Sequence, residues 1–198
     1  MWPWGHLAIG YLVYSVWYRI RLGKPPRALP VVLLALGTQF PDIVDKPLAY
    51  WFAILPEGRS LAHSYLFVIP LCLIVYVVLT RYGLAEGGVA FTIGYFTHPI
   101  ADGLNAIVSG QWTDITFMVW PLLPIPDYEA SNFVYHLQDL LTSIRGLSLQ
   151  SLLHPISEHF VLEIWLTFFL VILWIVDGLP PVKHIVSRVF PVEERHGV

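Results

Sequence analysis

The sequence predicts an all-α fold, a polytopic membrane bundle of about four to five hydrophobic helices with an extra-cytoplasmic loop region, forming a single domain over residues 1–198. Three observations carry this. Apolar residues make up 56% of the chain and charged residues only 13%, where a typical soluble domain has about 25% charged. The apolar residues gather into stretches of helical length bounded by Pro, Gly and Arg. Trp and Tyr are plentiful, as suits a protein with two water–lipid interfaces. The net charge of −3 gives no electrostatic case for nucleic acid. Cys72 is the sole cysteine, which excludes disulfides and thiolate metal sites.

Met1-Trp-Pro-Trp-Gly-His6 lacks a basic n-region and a small-residue cleavage pattern, so it reads as part of the mature protein. The first helix is expected over about Gly5–Ile20, ending in a basic segment and broken by Pro25-Pro26. A second, short run spans Ala28–Phe40 and stops at Pro41-Asp42; its length is marginal for a span. Residues 41–60 read as a polar connection in which the apolar, aromatic Leu48–Leu55 lies at the interface. Ser60 is the expected N-cap of a third helix, Leu61–Thr80, with His63 and Ser64 in its first turn. The central helix is Gly88–Val108. Residues 109–157 are less hydrophobic, with an amphipathic helix expected at Leu137–Ser148 and loop positions at Asp127, His136 and Asp139. A last span covers about Phe160–Val176.

Orientation follows from the basic residues. Placing 19–27, Arg81 and 183–195 in the cytoplasm gives five alternating segments with the N-terminus outside and the C-terminus inside an inner (cell) membrane. The same assignment gathers His6, Asp42, Asp45, His63, His98 and Asp102 at the outer face, although the charge rule took no account of them. His98 and Asp102 share a helix face at i,i+4, with Gly94 and Asn105 roughly on the same stripe. A carboxylate in lipid costs about 2.5–3.5 kcal/mol at mid-helix, so this stripe requires partners inside a bundle.

Imidazole together with carboxylate is the donor set of zinc, manganese and non-haem iron. Three histidines and two or three aspartates exceed one tetrahedral site and suit one or two divalent ions, zinc foremost. Arg59, Ser60 and Ser64 are placed to orient ligands or a phosphate. Each residue also has a structural reading: His6 as an interfacial residue, Asp42 as a turn residue, Asp45 as a solvated loop charge, His63 as satisfied by water, His98/Asp102 as a packing pair and Arg59 as a snorkelling anchor. Further His/Glu pairs stand at His154/Glu158 and His159/Glu163. The second is preferred because Glu163 falls within the last apolar run. His184 and His196 fall on the opposite side.

Four ordered blocks carry a family resemblance: Trp4-Gly-His6-Leu, Phe40-Pro-Asp42-Ile-Val-Asp45-Lys, Gly58-Arg59-Ser60-Leu-Ala-His63-Ser64, and Gly94-Tyr-Phe-Thr-His98-Pro-Ile-Ala-Asp102, with Trp120-Pro121 downstream. Together they resemble the YdjM-like family of membrane-bound, LexA-regulated, metal-dependent hydrolases. Two departures stand out. Asp42-Ile-Val-Asp45-Lys46 replaces the usual Asp-Ile-Asp-His, and the first His of the usual His-Arg-Gly-x-Thr-His-Ser block is missing, Gly58 standing there. The ligand order is also similar to that of zinc-dependent phospholipases C, where a later His-x3-Glu adds ligands.

The resulting expectation is an integral membrane, metal-dependent hydrolase in which metal-activated water attacks an ester or phosphodiester, plausibly of a phospholipid. The metal ligands would be His6, Asp42, His63, His98, Asp102, His159 and Glu163, with Asp45, Arg59 and Ser64 assisting catalysis. Two rivals remain: a metal-stabilised scaffold or partner-binding protein without turnover, and a small transporter. The transporter is ranked last because Val31–Leu36 and Pro70–Val78 look apolar.

Overall fold

A computed structural model describes residues 1–126, 133–152 and 159–183. The described residues form helices and no strands: α1 (Pro3–Leu22), α2 (Ala28–Tyr50), α3 (Tyr65–Arg81), α4 (Ala85–Ser109), α5 (Phe133–Arg145), α6 (Leu149–Leu152) and α7 (His159–Val176), with a 3-10 segment at Trp112–Val119. This is the all-α bundle expected. The helix α4 packs against α1, α2 and α3, while α7 packs on α1. Of these, α2 is long and apolar enough to cross a membrane; Tyr65–Arg81 and Phe160–Val176 are apolar but shorter.

Two core clusters fill the bundle. Tyr11, Tyr14, Tyr18, Val31, Leu34 and Ala90 form one, against which Leu170 and Trp174 of α7 pack. Val68, Cys72, Phe91 and Tyr95 form the other, with Phe40 packed alongside. Close approach of α4 to its neighbours depends on glycine. A methyl group at Gly37 would overlap the Phe91 carbonyl, and one at Gly94 would overlap the Leu34 carbonyl. Small residues at such crossings are how membrane helices bring their backbones together. Large apolar side chains point outward from every long helix, among them Val16, Leu36, Leu73, Ile100 and Phe169. The interior holds Ser15, Thr38, His6, His98 and Asp177. Apolar surface outside and polar groups within is a distribution that suits lipid.

Three local expectations are corrected. The second helix does not stop at Pro41-Asp42. It continues through Pro41, which is buried in the bundle, and through Pro47 to Tyr50; membrane helices tolerate such interior prolines. Nor does Ser60 cap the third helix. Ser64 does so, accepting from the Leu66 N–H, so His63 lies in the irregular segment before α3. His136 and Asp139 fall on α5, not in a loop.

Candidate metal centre

The helices alternate in direction, and the start of α1, the middle of α2, the segment before α3 and the far half of α4 meet at one end of the bundle. His63 illustrates how side chains are placed there. The buried Asp45 carboxylate accepts from the backbone N–H groups of Ser60, Ala62 and His63 at 2.9–3.2 Å, folding the segment around itself. It also lies 2.8 Å from His63 Nδ1. The Tyr95 hydroxyl donates to the Ala62 carbonyl at 2.9 Å and fixes the same segment to α4. On α4, His98 Nδ1 donates to the Thr38 carbonyl of α2 at 2.6 Å.

Both imidazoles thus commit Nδ1 to an acceptor, and their Nε2 atoms face each other at 3.1 Å. Two lone pairs at that distance repel, so a proton or a cation belongs between them. Asp42 Oδ1 stands 3.6 Å from each Nε2, and it is buried with no hydrogen-bond partner. Its other oxygen is taken by Lys46, one turn on in α2, at 2.7 Å. A tetrahedral zinc-type ion spaces its N and O donors by about 3.3–3.5 Å, which the triangle of His63, His98 and Asp42 approaches. Without a cation, burial is the largest influence on the His63 imidazole and pulls its pKa down. Asp102, Asp42 and Asp45 together outweigh it and lift the value to about 10.

Asp102 joins this triangle to His6. Its Oδ2 is 3.5 Å from His63 Nε2 and 3.9 Å from His98 Nε2; its Oδ1 is 3.2 Å from His6 Nε2 and 2.8 Å from the Met1 amino group. Arg59 Nε reaches Oδ2 at 2.9 Å and its side chain is one-third exposed. The His6 ring stacks on His98 with centroids 3.7 Å apart, and its buried Nδ1 has no hydrogen-bond partner. Two donor groups of metal-binding type result, His6/His98/Asp102 and Asp42/His63/His98, sharing His98. The unpartnered, buried Asp42 Oδ1 facing both Nε2 atoms fits a cation, since buried polar atoms otherwise find hydrogen bonds.

The remaining candidates make contacts of their own. Ser64 faces away from the cluster, its hydroxyl donating to the Trp120 carbonyl at 2.6 Å. Glu163, buried on α7, accepts from the Trp2 N–H at 3.1–3.2 Å and holds the start of α1. His159 opens α7, and its side chain lies outside the described residues; so do Asp127, His154, Glu158, His184 and His196. Asn105 is exposed. Sequence reasoning missed Lys46 and Thr38. The i,i+4 spacing of Asp42 and Lys46 becomes a signal only once the helix is allowed to continue through Pro41.

The family model described as YdjM inner membrane protein matches residues 1–179. No curated protein and no solved structure matches the chain.

Proposed function

The chain belongs to the YdjM inner membrane protein family, and from that premise we propose that it is a multi-pass, metal-dependent hydrolase acting on an ester or phosphodiester, with phospholipid as the substrate class. The observation that carries this reading is the 3.1 Å approach of His63 Nε2 and His98 Nε2, both rings having their other nitrogen committed, beside the unpartnered Asp42 Oδ1. His63, His98 and Asp42 would hold one divalent ion, zinc first. Asp102 and His6 would bind at its flank. Bound there, such an ion supplies Lewis-acid chemistry, lowering the pKa of a water to about 7 and offsetting charge on a phosphoryl oxygen.

The rest is done by the chain itself. Asp45 and the Thr38 carbonyl fix the tautomer and direction of their histidines, the role that outer partners take at metal sites. Lys46 turns one Asp42 oxygen away and leaves the other facing the cluster. Arg59, partly exposed beside Asp102, offers a guanidinium edge to an anionic oxygen of the substrate. The basic residues at the opposite end of the bundle support placing the site at the outer face, with the N-terminus outside.

Full-length protein purified without chelators tests this by elemental analysis and by hydrolysis of phosphodiester and phospholipid substrates. At least one equivalent of metal is expected, together with turnover that His98→Ala abolishes; metal-free wild-type protein would sink the reading. One observation favours a second reading. Asp102 Oδ2, at 3.5 and 3.9 Å from the two Nε2 atoms, completes a set of four protein donors, the closed arrangement of structural metal sites. Metal without hydrolysis of any of these substrates would select that scaffold role.

A further inference from the structure

At the end of the bundle away from the histidines, a cavity of about 880 Å³ opens between the start of α2 and the turn that follows α7. Leu29, Val32 and Pro180 give it apolar walls, and among the described residues its charged lining is Arg27, Lys183 and Asp177. Asp177 brings no unanswered negative charge to it. Its carboxylate accepts from the Tyr11 hydroxyl at 2.7 Å, from the Ser15 hydroxyl at 2.6 Å and from the Arg19 guanidinium. Arg27 approaches Glu86 at 3.7 Å, but their side chains are 64% and 40% exposed; a pair so open to water holds weakly. Lys183 is exposed. The charge offered to an occupant is therefore positive.

We propose that this cavity seats an anionic phospholipid, its phosphate between Arg27 and Lys183 and the beginning of its acyl chains along Leu29 and Val32. The apolar wall distinguishes a lipid from a soluble anion. The cavity also sits at the right depth. The helix best suited to cross the membrane, Ala28–Tyr50, begins beside it, so the first turn of α2 lies where headgroups give way to hydrocarbon. Basic pockets between membrane helices hold anionic headgroups in this way. The proposal does not rest on the hydrolase reading, and removal of metal leaves it standing.

Native mass spectrometry of the full-length protein, titrated with dioleoylphosphatidylglycerol or dioleoylphosphatidylcholine, provides the test. The glycerol lipid is expected to bind about tenfold more tightly. The double variant Arg27→Gln/Lys183→Gln should lose that preference, while Arg21→Gln/Lys24→Gln, which removes the same charge from the neighbouring surface, should keep it. Val32→Trp retains both cations but fills the apolar wall, and should weaken both lipids. Equal binding of the two lipids by wild-type protein would overturn the proposal. So would equal losses in the two double variants, undiminished binding by Val32→Trp, or displacement of the lipid by glycerol 1-phosphate at matched concentration.

Discussion

His63 Nδ1 and a carboxylate oxygen of Asp45 lie 2.8 Å apart with both side chains fully buried, although one belongs to α2 and the other to the irregular segment before α3. The same carboxylate accepts the N–H groups of Ser60, Ala62 and His63. Asp45 therefore shapes the segment and aims the imidazole with one group.

Replacing it tests both roles. Asp45→Asn keeps the size but sets an NH2 group against donors that need an acceptor. Metal affinity is expected to fall roughly 10–100-fold, as for other outer partners of metal-binding histidines. Competition with a chromophoric chelator measures this, and unchanged affinity would remove Asp45 from the positioning role.

The shared histidine sets an order of losses. His98 belongs to both donor groups, whereas His6 belongs to one and His63 to the other. His98→Ala should strip the protein of metal, and His6→Ala should leave the Asp42/His63/His98 group able to bind. Elemental analysis of the two variants, purified side by side, decides it; equal losses would mean that one inseparable site is present.

Proton release follows from the His63 value of about 10, raised above its unfolded value of about 6.5. In the cation-free protein, this group's stabilising contribution is fully present below about pH 6.5 and is lost as pH rises through the folded value. Binding at Nε2 displaces the proton, so zinc affinity should climb with pH across that window, with about one proton released per ion near pH 7.5. Zinc titration in a weakly buffered indicator solution measures the release. Uptake without any release would contradict a protonated His63 in the free protein.

Helix spacing carries a separate cost. Gly94→Ala pushes a methyl group into the Leu34 carbonyl and towards Thr38, and overpacking of this kind costs about 1–3 kcal/mol. Thermal unfolding in detergent should show the loss. Because Thr38 also accepts the His98 Nδ1 proton, metal affinity should fall with stability.

Much of this arrangement was legible in the sequence. The i,i+4 spacing of His98 and Asp102 fixes their common face, and they do lie 3.9 Å apart. The alternation of basic ends predicted that His63 and Asp102, distant in the chain, meet; they stand 3.5 Å apart. Where local rules were applied to prolines, they failed. Pro41 reads locally as a stop, yet α2 runs past it, and the Asp42–Lys46 spacing carries a signal only within the continued helix. Ser60 has a cap's chemistry, but its hydroxyl donates to the Glu57 carbonyl and its N–H to Asp45, fifteen residues away, a tertiary bond that no local signal carries. Glu163 accepts the Trp2 N–H, a contact between α7 and the start of α1 that no local signal in the sequence carries.

The first and last long helices are fastened at both ends, by Trp2 to Glu163 and by Tyr11, Ser15 and Arg19 to Asp177. A chain made from its N-terminus therefore completes its opening helix long before that helix's partners at Glu163 and Asp177 have been synthesised. Until residue 177 has left the ribosome, the N-terminal helix that bears His6 lacks the acceptor that Tyr11, Ser15 and Arg19 share, and the clasp between α1 and α7 closes only then.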